Sequence, residues 1–328
     1  MGRNLNIVMA AGLTLLTGLH GAKAADYRLL ASWDQNYPGR VVLLTSFMKT
    51  VEERTKGNIR FVVSGPETVP AFEQLQPTGA GVYQFLFTHG AYHFGTTPIG
   101  TALEAIGGDM NERNAAGIKD AVDKHYQKFG LKLVAMPMSP MGLGYHLILK
   151  SPIGPSGDLS GRKIRATPTY AGVLKMLGAS SVILPPAEIY TALEKGLADG
   201  AGWPTLGVLN YRWYEVAKNI VRPAFGSVSL LLFANLSTWN KLSEEDRKVL
   251  LEESAKIEAK WFNDFKAIAD DEERSLIAKG MSVTQMGDAQ QAKLVEAWSL
   301  GQWENAAAKN PNDTNALRQL ARSKGLTP

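Results

Sequence analysis

Cysteine is absent from the 328 residues. Its absence excludes a disulfide framework, a thiolate nucleophile, a Cys-ligated metal or cluster and a lipid-anchored Cys. An excess of one charge is nearly absent too. Lys and Arg number 35 against 31 Asp and Glu, a formal net charge of +4 with a pI of about 9.0. No Lys/Arg run concentrates that surplus, so neither nucleic acid nor a membrane surface is indicated as a partner. GxxxxGK[ST], GxGxxG, HExxH and GxSxG are all missing, which removes the usual phosphate-cradling, metalloprotease and nucleophile-elbow signals. What remains is 45% hydrophobic and 20% charged with a mean hydropathy of -0.11, the composition of a globular protein and not of a disordered or polytopic membrane chain. At roughly 150 residues per domain, two domains are expected.

The N-terminus reads as an export signal. Arg3 gives a positive start, residues 5–19 are uncharged and mostly apolar, and Ala22-Lys23-Ala24 places small residues at the two positions a signal peptidase reads. The apolar run is shorter than the ~20 residues a spanning helix needs, which argues against the alternative of an uncleaved anchor. Segment 1–24 is therefore expected to be a cleavable signal peptide, cut near Ala24/Ala25, which makes the protein periplasmic in a Gram-negative cell. Loss of Arg3 and Lys23 and of no acid lowers the formal charge from +4 to +2.

Beyond it, strand and helix alternate. Strands are expected at 27–32, 59–64, 82–87, 132–136, 145–149, 163–166, 181–184 and 230–235. Helices are expected at 41–55, 115–129, 170–177 and 187–197, with Gly57 and Gly130 as stops. Repeated alternation predicts an α/β fold of parallel-rich sheets covered by helices. No Gly/Ser linker separates two independent domains, so short crossings should join two lobes. Ser243 and Asp246 form a start signal for apolar spacing that runs to Gly280. The segment reads either as two helices kinked near Asp270-Asp271 or as one beam of about 55 Å across both lobes.

His89 and His93 have the spacing of a helical metal pair. Gly90 and Gly95 interrupt helix there and no carboxylate follows closely, so neither a metal nor a cofactor is expected. The 31 acids leave a glycosidase-like carboxylate pair open, because sequence does not give their separation.

One block is specific. It runs Asp158-Leu159-Ser160-Gly161-Arg162-Lys163-Ile164-Arg165-Ala166-Thr167-Pro168, continues through Leu177-Gly178-Ala179 and the stretch from Pro185 to Gly200, and ends in Trp203-Pro204. In its order and spacing it resembles the substrate-binding proteins of tripartite ATP-independent periplasmic (TRAP) transporters, the DctP-like family. The segment that begins Leu242-Ser243-Glu244-Glu245-Asp246-Arg247 and the early Glu73-Gln74-Leu75-Gln76 are similar to the family as well.

Residue physics points to the same block. Arg165 lies near the carboxyl end of an expected strand, where open α/β sheets collect ligands. Its planar fork matches a carboxylate with two parallel hydrogen bonds, which Lys163 cannot do. The bland alternative is an ion pair with a nearby Asp or Glu; the resemblance implies instead that Arg165 holds the substrate carboxylate. Trp203, kept extended by Pro204, either packs on the substrate or belongs to the core. Family members often carry Asn at that step. Thr167 either reaches the same carboxylate or caps the following helix. His89 and Tyr92 follow the strand expected at 82–87 and line the opposite wall or pack within their loop. Glu67 and Trp33 occupy similar loop positions in the first lobe.

The resemblance implies a two-lobed periplasmic binding protein, type II-like, with a hinge and a long lobe-spanning helix. Its lobes are expected at 25–142 with 231–270, and at 143–230 with 271–328. Its function would be a periplasmic solute receptor that closes on an organic acid and delivers it to TRAP membrane permease subunits, without insertion into the membrane and without chemistry on the ligand. Many acidic-sugar binders of the family carry a second Arg at the entry to the second lobe. Here Gly142-Leu143-Gly144-Tyr145-His146 has none, which favours a monocarboxylate (a 2-oxo, 2-hydroxy or aromatic acid) over a dicarboxylate. The alternatives are an exported lyase or glycosidase acting on acidic substrates, and a receptor that feeds a sensor kinase.

Overall fold

The chain builds four strands in one sheet, crosses to a second sheet, and returns. The computed structural model describes residues 25–327, so the expected signal segment 1–24 lies outside the described residues. Strands β1 (Ala25–Ala31), β2 (Ile59–Ser64), β3 (Phe85–Thr88) and β4 (Leu131–Ala135) belong to the first sheet. The chain then crosses to lay down β5 (Tyr145–Leu149), β6 (Lys163–Arg165), β7 (Ser180–Val182), β8 (Gly200–Pro204) and β9 (Asn219–Arg222) in the second. It re-enters the first sheet with β10 (Leu231–Asn235) and the second with β11 (Ser282–Gln285). The orders are β2-β1-β3-β10-β4 and β11-β9-β5-β8-β6-β7.

Each sheet is parallel except for one strand. β10 runs antiparallel to β3 and β4, and β5 runs antiparallel to β8 and β9. These are the strands by which the chain enters each sheet from the other. Every residue of β3, β5 and β10 is buried, as strands covered on both faces should be. This is the two-lobed α/β architecture expected.

The segment after Leu242 is a single helix, Glu244–Ala278, of 35 residues, about 52 Å long. No break occurs at Asp270-Asp271. Ser243 caps it by accepting from Asp246 N at 3.0 Å, and three acids fill its first turn. Near its start Glu252 and Glu253 pair with Arg54, and Glu258 pairs with Lys119 and accepts from Met136 N, all on the first lobe. Near its end Glu272 accepts from the amides of Gly207 and Leu209, and Glu273 pairs with Arg222, all on the second lobe. The helix is fastened to both lobes.

Some elements depart from expectation. The helix expected at 115–129 is two, Met110–Ala115 and Ile118–Gln127, divided at Gly117 with φ of 74°. Residues 82–84 precede β3, and Val82 is half exposed. β9, β11 and the C-terminal helices Asp288–Lys309 and Pro311–Ser323 were not anticipated. The C-terminal segment also divides differently from the expected 271–328. β11 joins the second sheet, but Pro311–Ser323 packs on Ile118–Gln127, where Asp313 bonds His125 and Lys128 of the first lobe.

Candidate functional site

Arg165 ends β6, and Trp203 is the fourth residue of β8, the parallel strand beside it. Both side chains therefore rise at the carboxyl ends of neighbouring strands and face the other lobe. Gly202 lies between them in space for a steric reason: a Cβ there would come within 2.6 Å of the Tyr170 ring.

The Arg165 guanidinium is buried, with 1% of the residue exposed. Its Nε and Nη2 both donate to Leu184 O at 2.9 and 2.6 Å, and Nη1 donates to Gly202 O at 3.2 Å. Its charge lies 5.4 Å from the Trp203 ring centroid. Among the described residues no carboxylate comes within ion-pair distance of it, so the ion-pair alternative is not realised. Burial lowers its pKa, partly offset by the Tyr92 and Tyr170 hydroxyls nearby. Three of its five N–H donors are engaged by backbone carbonyls, and the Tyr92 hydroxyl is a further partner of the guanidinium.

Only about 20 Å³ of the cavity beside Arg165 is free, roughly the room of one water, so its walls lie close on one another. It brings together Arg165, Trp203, Thr167, His89, Tyr92 and Trp33, with Tyr145, Tyr170 and Leu230. The Thr167 side chain does not cap the turn Pro168–Tyr170. The indole N–H of Trp203 donates to Leu206 O, and that of Trp33 donates to Tyr92 Oη at 3.0 Å. Trp203 is also packed edge-on against Tyr37, Tyr211 and Trp213, so it serves core and cavity together. Glu67 is not brought to the cavity: its carboxylate turns back to accept from Gly65 N, two residues away.

Beneath His89 lies a buried carboxylate that sequence reasoning missed. Glu104 Oε1 accepts from Tyr145 Oη at 2.7 Å, from Ser229 N and Oγ at 2.9 Å, and from His89 Nε2 at 2.8 Å. Ala91 N donates to His89 Nδ1, so Nε2 carries the ring proton. Glu104 thus joins a first-lobe loop to Tyr145 and Ser229, the two places where the chain crosses between lobes. Tyr145 fills the stretch where a second Arg was sought, and its ring packs on Tyr170 at 5.3 Å.

His93 bonds Thr88 Oγ1 at 2.9 Å and burial pushes its pKa down to about 3, so His89 and His93 serve different partners. Among the described residues no cluster of His, Asp or Glu is arranged to hold a metal ion, and no helix is long and apolar enough to cross a membrane. A larger groove, about 1090 Å³, opens on the first lobe beside Phe72 and Lys128. It touches Tyr92 but not Arg165.

The model of the bacterial extracellular solute-binding proteins, family 7 (DctP), matches residues 33–309. A monocarboxylate 2-oxoacid-binding periplasmic protein of Nostoc sp. is 24% identical over 273 residues, 79% of this chain and 73% of that one. Among solved structures, a TRAP periplasmic solute-binding protein of Desulfovibrio salexigens with bound orotic acid superposes with a TM-score of 0.81 at 20% identity, over 91% of this chain and 98% of that chain. DctP7 of Bordetella pertussis, an extracytoplasmic solute receptor binding pyroglutamic acid, gives 0.74 at 19% identity, over 91% and 100%.

Proposed function

The chain belongs to the family 7 bacterial extracellular solute-binding proteins, and from that premise we propose that it is a periplasmic receptor for a small monocarboxylic acid, held by Arg165. The single observation that carries this reading is a fully buried guanidinium that lines the cavity and has no acidic partner among the described residues. A buried charge without a counter-ion is costly, and an anionic ligand relieves that cost while making two charge-assisted bonds. The names of relatives point the same way, since the Nostoc protein is a 2-oxoacid binder and the two solved structures hold orotic and pyroglutamic acid.

The lining of the cavity suits one carboxylate and a planar or apolar body, which enters when the lobes part. Arg165 is the one arginine that lines it among the described residues, and its other walls are mainly aromatic. The two crossings, 136–145 and 222–231, serve as the hinge, and the long helix braces both lobes. Closure buries the ligand and strengthens its bonds to Arg165 as water leaves. The closed receptor delivers the acid to a TRAP permease, unchanged. The family and the fold are those of substrate-binding receptors; the exported-enzyme alternative is not favoured. Export uses the signal at 1–24, with cleavage after Ala24.

Native mass spectrometry and thermal shift against an organic-acid panel test this. The expected result is 1:1 binding of an unaltered monocarboxylate, with about 2.7 kcal/mol of stabilisation at 100 times the Kd that Arg165→Ala abolishes. A folded Arg165→Ala variant with unchanged affinity, or conversion of the acid to product, defeats the reading.

A further inference from the structure

The cavity that holds Arg165 adjoins a second chamber, and one side chain lines both. The outer chamber has a volume of about 230 Å³ and is lined from both lobes. Pro66, Pro70 and Ala71 line it from the first lobe, and Pro185, Pro186 and Ala187 from the second. The shared wall is Trp33. Its indole is fixed by the bond to Tyr92 Oη and by stacking on Tyr37 at 4.8 Å, which holds the shared wall in place. Tyr211 closes the outer chamber on the second-lobe side and stacks on Trp213, whose neighbour is Trp203 of the inner chamber.

Prolines and alanines give this chamber an apolar lining that has lost little side-chain freedom on folding and offers few hydrogen-bond donors. Its charged members are acids, Asp34 from one lobe and Glu188 from the other. Arg40 lies near this region without lining it, its guanidinium donating to Trp33 O at 2.8 Å. The lining itself thus carries two acids and no Lys or Arg.

We propose that the outer chamber is a second subsite that takes the apolar tail of the ligand, so that the receptor selects monocarboxylic acids with an extended aliphatic or aromatic end and rejects those with a distal carboxylate. This rests on the reading of Arg165 as the carboxylate anchor. The carboxylate sits on Arg165, the chain passes the edge of Trp33, and the tail is enclosed between the two proline pairs when the lobes close.

Calorimetric titration of the purified protein with pyruvate, 2-oxobutyrate, 2-oxovalerate, 2-oxohexanoate and 2-oxoadipate tests it. Affinity is expected to rise about fourfold for each added methylene, the fold-change of burying one CH₂, and to fall back for 2-oxoadipate. Two rim substitutions at exposed positions read the subsite directly. Ala187→Trp should weaken 2-oxohexanoate at least tenfold more than pyruvate, and Glu188→Lys should narrow the gap between 2-oxoadipate and 2-oxohexanoate. If short acids bind through Arg165 but affinity stays flat along the series, or Ala187→Trp weakens all acids equally, the outer subsite is refuted and the anchor survives. If no acid of the series binds, or Arg165→Ala binds like the parent, the anchor itself fails and the subsite falls with it.

Discussion

The amide of Gly207 donates to both carboxylate oxygens of Glu272, each at 2.8 Å. Gly207 follows Leu206, whose carbonyl holds the Trp203 indole, and its φ of 114° is one that a side-chain-bearing residue rarely adopts. The long helix thus reaches the cavity wall through one loop. Burial drives the Glu272 pKa up to about 7, opposed by the amides of Leu209, Gly207 and Val208. Folded protein therefore holds a proton that unfolded chain releases near its ordinary value of 4.5. Stability from this group is complete below pH 4.5 and is lost as pH rises through about 7. Melting temperature measured from pH 4.5 to 8 should show that decline, and Glu272→Gln should flatten it.

Glu104 concentrates four donors on one buried oxygen. Glu104→Ala would leave the Tyr145 hydroxyl and the Ser229 amide and hydroxyl without their acceptor, at an expected cost of about 3–5 kcal/mol in urea unfolding. Glu104→Gln keeps one acceptor oxygen and should cost less than half as much. Because Tyr145 and His89 line the cavity, both variants should also weaken ligand binding. Loss of stability without any change in affinity would separate Glu104 from the site.

The second lobe meets the C-terminal helix at two glycines. A Cβ on Gly172 would lie 2.1 Å from Ala297 O and 3.0 Å from Gly301 Cα, both backbone atoms. Gly172→Ala forces the helices Ala171–Met176 and Asp288–Lys309 apart and should cost about 1–3 kcal/mol. Gly95→Ala, with nothing within 4 Å of its Cβ, should stay within about 0.5 kcal/mol. Equal effects of the two would show that the close crossing carries no packing energy.

The place of Arg165 at a strand end was legible because its block is local: a strand, a guanidinium at its end and a Trp-Pro step all lie within some forty residues. Glu104 was not, because its role depends on Tyr145 and Ser229, which only the crossings bring to it. Glu67 shows the limit from the other side. It follows a strand end as His89 does, yet its side chain folds back on Gly65, and whether a loop bends inward is decided by tertiary packing. The same holds for β11, a short exposed edge strand whose alternation is too weak to read until β9 lies beside it.

Two substitutions of Arg165 distinguish a ligand anchor from a structural residue. The guanidinium contributes three hydrogen bonds to Leu184 O and Gly202 O, and it suffers desolvation by burial with no counter-ion among the described residues. These terms oppose each other, so Arg165→Met, of similar length and without charge, should leave the unliganded melting temperature within a few degrees of the parent. The liganded state has no such offset. The variant loses two charge-assisted bonds of roughly 1.5–3 kcal/mol each, and the ligand-induced shift should vanish. Arg165→Lys keeps a charge but cannot engage both carbonyls and a carboxylate with one ammonium, so its affinity should fall about 100-fold, two decades or roughly 2.8 kcal/mol. Differential scanning calorimetry with and without acid measures both quantities on the same samples. Collapse of the unliganded protein in Arg165→Met with binding retained in Arg165→Lys would make Arg165 a structural residue of the second lobe.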